Sequence, residues 1–122
     1  MNFKKLIQPL VCVMGLVSIN ASAGASLAFK GNCDKTTAKV VEGVKLKSYF
    51  SDTNTNMEGT YLVSTDGKVW VIPGGQYYPD DYLAEEERKI ALAALMSGMK
   101  VNICSKEGSK PNRAWAIELD AE

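Results

Sequence analysis

Histidine is absent from all 122 residues. That removes the commonest general base, the usual partner of a nucleophilic serine or cysteine, and the most frequent zinc ligand. A surplus of either charge is missing too: 14 lysines and arginines face 14 aspartates and glutamates. The chain therefore lacks the basic excess of a nucleic-acid binder, and no nucleic-acid partner is expected. Cysteine is scarce, with three copies, and after the first two dozen residues no apolar run approaches the length of a membrane span. Linkers, internal repeats and low-complexity tracts are also lacking, so one small domain is expected. No cofactor and no metal site are expected either. The acidic residues Asp80, Asp81, Glu85, Glu86 and Glu87 lack the glycine turn and ligand spacing of a calcium loop. They suit the positive end of a helix dipole, which also accounts for them better than a paired-carboxylate glycosidase does.

What is present begins with a targeting pattern. Lys4 and Lys5 precede a mostly apolar stretch from Leu6 to Ile19, and Ala21-Ser22-Ala23 supplies small residues for cleavage after Ala23. Residues 1–23 are read as a secretory signal peptide, and 24–122 as the mature domain. The alternative, a retained anchor, is disfavoured by the short apolar stretch and by Gln8, Pro9 and Gly15 within it. Cleavage leaves 99 residues with 12 basic against 14 acidic side chains and only two cysteines, Cys33 and Cys104. In an oxidising compartment these two are expected to pair rather than remain buried thiols. A bridge closing so long a loop stabilises by roughly 4 kcal/mol in the chain-entropy model.

Hydrophobic periodicity then places the elements. Val40-Val41 and Val44 to Phe50 read as a strand pair or one long strand bent around Gly43. Residues 51–58 read as loop. Tyr61-Leu62-Val63 and Val69 to Ile72 flank Asp66-Gly67, the strongest hairpin signal in the chain, and Pro73-Gly74-Gly75 ends the second strand. From about Leu83 to Met99 the pattern is helical, with Gly98 at its end. Its second half, Ile90 to Met96, is apolar nearly all round, which predicts a second partner beyond the sheet: a subunit interface or a ligand. Val101 to Cys104 and Ala114 to Leu119 close the chain as two alternating strands, and in such alternation Trp70 and Trp115 read as core residues in preference to the alternative, a stacking site. A mainly β domain with one long helix late in the order is compatible with a small Greek-key barrel of the OB-fold kind.

Several segments carry a family resemblance. Asn32-Cys33-Asp34-Lys35-Thr36-Thr37-Ala38, Val41-Glu42-Gly43-Val44, Tyr78-Pro79-Asp80-Asp81, Arg88-Lys89-Ile90-Ala91, Met99-Lys100-Val101-Asn102-Ile103-Cys104 and Trp115-Ala116-Ile117-Glu118-Leu119 resemble, at matching spacing, the B subunits of the type II heat-labile enterotoxins within the cholera toxin group. The resemblance spans essentially all of 24–122. It implies an OB-fold protomer in a ring-shaped homopentamer whose long helices line a central pore. One toxin A subunit, an ADP-ribosyltransferase, would be held through that pore. The ring itself would be secreted, bind gangliosides on host cells and have no enzymatic activity of its own. The alternative is a solitary secreted OB-fold protein with another ligand.

The resemblance also nominates receptor-binding residues. In type II relatives a threonine pair after the first cysteine is tied to ganglioside binding, which carries over to Thr36 and Thr37 and is favoured over the alternative that both merely satisfy backbone groups in a turn. A family threonine on the loop between early strands is Met57 here, which can offer apolar contact but little hydrogen bonding. Asn54 and Asn56 on the same loop are either amide donors or solvated loop residues. Where type I relatives carry a tryptophan two positions after the second cysteine, this chain has Lys106, either a partner for a sialic acid carboxylate or a solvated lysine. Gln76 matches a type I glycan-contacting glutamine by position.

Overall fold

The computed structural model describes residues 24–54, 56–73 and 82–120. The expected signal peptide at 1–23 and the candidate residue Gln76 lie outside these, as do Asp80 and Asp81.

One sheet of six strands forms the body: β1 (Lys39–Val44), β2 (Leu46–Asp52), β3 (Gly59–Ser64), β4 (Val69–Pro73), β5 (Lys100–Lys106) and β6 (Asn112–Asp120). Their order is β1-β5-β6-β4-β3-β2. Every pairing is antiparallel except a short parallel contact of β4 with β6, at Trp70 opposite Asn112 and Val71 opposite Arg113. The two outermost strands, β1 and β2, follow one another with only Lys45 between them.

The expected bend around Gly43 has a specific cause. Glu42 and Gly43 together oppose the single residue Asn102, a β-bulge between Val41 and Val44. Gly43 adopts φ +67° there, and its N–H donates to the Asn102 side-chain oxygen at 3.0 Å. Asn102 is fully buried, and its amide nitrogen donates to Glu118 at 3.0 Å, so the bulge leaves this buried polar side chain satisfied. The β3–β4 hairpin turns at Asp66-Gly67 as its sequence predicts, closed by bonds from Gly67 N–H to the Ser64 carbonyl and from Ser64 N–H to the Lys68 carbonyl.

Two helices flank the sheet. The late one, α2 (Tyr82–Ser97), matches its sequence signal, including the stop at Gly98, whose N–H donates to the Ala94 carbonyl. Small residues Ala84, Ala91 and Ala94 form its buried face and let it pack closely on a core of Leu62, Trp70, Ile72, Val101, Ile103 and Ile117. Two flanks of the helix are apolar and exposed on the single protomer: Leu92 and Met96, one turn apart, on one, and Leu83, in the first turn, on the other.

The expectation of a single helix needs correction. A second one, α1 (Leu27–Asp34), precedes the sheet, started by Ser26, whose hydroxyl accepts from the Phe29 N–H at 3.1 Å. Eight residues containing Gly31 and Asn32 are too few and too poor in helix formers to show a period or to fold alone. Tertiary contacts hold the helix instead. Its Cys33 is disulfide-bonded to Cys104 of β5, Lys30 pairs with Glu42 at 3.2 Å, and the Ser26 N–H donates to Glu118 at 3.1 Å. The expected pairing of the two cysteines is thus present, surrounded by Ala38, Phe29, Val40 and Ala116 in a small second core.

Candidate functional site

The disulfide and the sheet register decide which side chains meet at the end of β5. Cys33 pins the last turn of α1 to Cys104, and Lys39 at the start of β1 lies opposite Ser105. The turn from α1 to β1, which carries Thr36 and Thr37, therefore runs beside Lys106 at the end of β5.

The threonine pair divides into two roles. The Thr36 hydroxyl donates to the Cys33 carbonyl at 2.6 Å and accepts from the Ala38 N–H at 3.0 Å, so it is committed to ending the helix. Thr37 is exposed, and its hydroxyl oxygen accepts from the Lys106 ammonium at 2.9 Å, which leaves the hydroxyl hydrogen for a ligand. The same ammonium sits 5.6 Å from the centre of the Trp115 ring, within cation–π range.

Trp115 corrects the reading of this residue as core. β6 pairs Ala114 with Ser105 but Ala116 with Cys104, so Trp115 is the extra, unpaired residue of a bulge. A bulge breaks strict alternation. Ala114 and Ile117 both turn inward, three positions apart, while the Trp115 ring is 37% exposed. Trp70 does lie in the core as expected, and its indole N–H donates to Ser105 at 2.9 Å.

That buried bond begins a chain that fixes the strand end. The Ser105 hydroxyl donates to Glu107 at 2.6 Å, and the other Glu107 oxygen accepts from the Asn112 amide at 3.1 Å. Glu107 is thereby engaged with Ser105 and Asn112, and among the described residues no carboxylate lies within ion-pair distance of Lys106. The patch presents an uncompensated cation, a hydroxyl donor and an aromatic face side by side.

Next to it, Thr36 and Trp115 also form part of the wall of an apolar cavity of about 530 Å³, shared with Phe29, Ile72, Leu83 and Glu87. Burial raises the Glu87 carboxyl to about 7, against a weaker opposing pull from Arg88. One of its oxygens is buried without a hydrogen-bond partner among the described residues.

The remaining candidates sit apart from this patch. Met57 is half exposed on the β2–β3 turn, where its N–H donates to the Asn54 carbonyl and its carbonyl accepts from the Tyr61 hydroxyl. Asn54 and Asn56 are used within the same turn: Asp52 accepts from the Asn54 N–H and the Asn54 side chain accepts from the Asn56 N–H. Among the described contacts, none joins this turn to Thr37 or Lys106. Sequence reasoning set Trp115 aside as core rather than as a stacking residue, and gave Glu87 only a place in the acidic cluster at the start of the helix. Nothing in a run of alternating residues reports a bulge, and the two small neighbours Ala114 and Ala116 are the only hint that this ring stands apart.

Comparison with known proteins places the chain in one family. All of residues 1–122 match the model of the type II heat-labile enterotoxin B subunit. The B chain of heat-labile enterotoxin IIB from Escherichia coli is 53% identical over 122 residues, covering 100% of both chains. The corresponding IIA B chain from the same organism is 50% identical, covering 100% of this chain and 99% of its own. Among solved structures, the GM1-bound form of the ECX AB5 holotoxin superimposes with a TM-score of 0.64 at 18% identity, over 80% of this chain and 99% of that one, a likeness of fold. The chain belongs to the type II heat-labile enterotoxin B-subunit family.

Proposed function

We propose that this chain is the receptor-binding B subunit of an AB5 enterotoxin. Five copies form a ring, bind sialylated glycolipids on host cells and hold one ADP-ribosylating A subunit through the central pore. The chemistry belongs to that A subunit, which fits a recognition chain without histidine. Residues 1–23 direct it out of the cytoplasm and are removed, leaving 24–122 as the domain that assembles in the periplasm, is secreted and acts at the host cell surface.

An OB-fold reading is supported by the strand order. The outermost strands β1 and β2 are two halves of one bent strand joined at Lys45, so the sheet curls back toward its own start, with α2 between β4 and β5. Pentamer formation is supported by the exposed apolar side of α2 at Leu92 and Met96, and by edge strands open to a neighbour.

The observation that carries receptor binding is the patch at Thr37, Lys106 and Trp115 on a chain that matches this family over its full length. An uncompensated ammonium beside a free hydroxyl hydrogen suits the carboxylate and hydroxyls of a sialylated sugar. Thr36 shapes the turn that presents Thr37. Met57 belongs to the receptor face of the assembled ring, apart from this patch within one protomer, and Gln76 joins the receptor-binding set by its sequence position alone.

A ganglioside overlay of the assembled wild type beside Thr36→Ile and Thr37→Ile tests this. Thr37→Ile loses binding and remains assembled, whereas Thr36→Ile loses binding together with thermal stability. Unchanged ganglioside binding in both variants contradicts the site.

A further inference from the structure

The two tryptophans of this chain have opposite surroundings. Trp70 is 3% exposed with its indole N–H bonded to Ser105; Trp115 is 37% exposed on the unpaired residue of the β6 bulge. A bulge gives up a ladder pairing to re-aim a side chain, and here it turns a large aromatic face out beside a cation. Strict alternation in phase with the buried Ile117 would have turned the ring into the core, so the outward placement is a property of the bulge itself.

We propose that Trp115 is the sugar-stacking platform of this site, with Lys106 as a displaceable cation that leaves the ring and Thr37 for the ligand's carboxylate. This inference rests on the receptor-binding reading above and adds to it the residue that selects the ligand. In the free protein the ammonium is 2.9 Å from the Thr37 hydroxyl oxygen and 5.6 Å from the ring centre, and both contacts are solvent-accessible. Neither present partner carries a negative charge, so an anionic carboxylate outcompetes both for the ammonium. Glu107 does not compete, because Ser105 and Asn112 hold it.

Once the ammonium moves, the indole face is open to the C–H face of a pyranose, and the Thr37 hydroxyl is released from accepting. The combination of a flat apolar surface and a mobile cation within one sugar's reach selects an oligosaccharide ending in a carboxylated sugar over a neutral one. Recognition here therefore uses a different residue on a different strand from a platform placed two positions after the second cysteine, the position Lys106 itself fills.

The test titrates the assembled, oxidised protein with sialyllactose and with lactose, following tryptophan fluorescence, beside Trp115→Ala, Trp115→Phe, Lys106→Met and Thr37→Ile. Sialyllactose produces a saturable change in the wild type that is absent in Trp115→Phe, because Trp70 is buried away from the ligand. By calorimetry Trp115→Ala weakens binding about tenfold or more, whereas Trp115→Phe stays within about threefold of wild type. Lys106→Met loses most of the preference for sialyllactose over lactose. Should Trp115→Ala not assemble, the Trp115→Phe and Lys106→Met results decide alone. Trp115→Ala binding sialyllactose as wild type does, while Thr37→Ile has lost it, overturns the platform and leaves the receptor reading standing. A wild type that binds neither sialyllactose nor gangliosides overturns both.

Discussion

Glu87 is a buried carboxyl with one oxygen that has no hydrogen-bond partner among the described residues. Burial lifts its carboxyl from 4.5 to about 7. A carboxyl with a higher value in the folded than in the unfolded chain holds its proton more tightly when native, so its ionisation subtracts from stability. The penalty is nil below about pH 4.5, grows as pH rises from 4.5 to about 7, and is constant above. Its ceiling is about 3 kcal/mol. Urea midpoints of wild type and Glu87→Gln should therefore coincide at pH 4 and diverge in the variant's favour at pH 8.5; parallel profiles contradict the assignment. The threonine pair separates as cleanly. Thr36→Val removes two backbone-directed bonds and should cost about 1–2 kcal/mol in denaturant unfolding, while Thr37→Val leaves stability unchanged. At this scale the sequence was informative about residue type but silent about partners. Thr37 and Lys106 lie 69 positions apart, and only the disulfide and the β1–β5 register bring them together.

At the scale of elements, legibility follows length and turn chemistry. The 16-residue α2 and the Asp66-Gly67 hairpin are visible in the sequence because each carries its own signal, a helical period in one and a turn dipeptide in the other. The eight-residue α1 is invisible because its order comes from the disulfide, the Lys30–Glu42 pair and Glu118 rather than from its own residues. Bulges defeat pattern reading in the same way: one residue inserted at Trp115 reverses the face on which it lies. Since the bridge closes 71 positions of chain, replacing Cys33 and Cys104 together by serine should cost about 4 kcal/mol and should release α1 to hydrogen exchange before the rest of the sheet. Gly59 tests the sheet directly. Its φ of +150° and the space around it leave no room for a side chain, because an added Cβ would meet Val71 Cγ2 at 2.7 Å and the Ile72 carbonyl at 2.8 Å. Gly59→Ala should lower stability by about 3 kcal/mol, read as a shift in thermal midpoint.

The whole molecule is where a single protomer is least self-sufficient. Leu92 and Met96 lie one turn apart on an exposed apolar side of α2, and no described helix is long and apolar enough to cross a membrane. A second copy is the cover that the family and the open edges call for. The all-round apolar pattern of Ile90 to Met96 already signalled such a partner in the sequence, whereas the number of copies does not follow from any one chain. Met96→Asp on this surface should weaken assembly without unfolding the protomer, so that analytical ultracentrifugation shows smaller species with unchanged far-ultraviolet dichroism.

The most direct measurement is native mass spectrometry of the oxidised mature chain in the presence of sialyllactose, since it reads assembly and ligand together. A pentamer carrying up to five oligosaccharides, reduced to an unliganded pentamer by Thr37→Ile, is the expected result. A monomer, or a pentamer that carries no oligosaccharide in the wild type, would contradict the account.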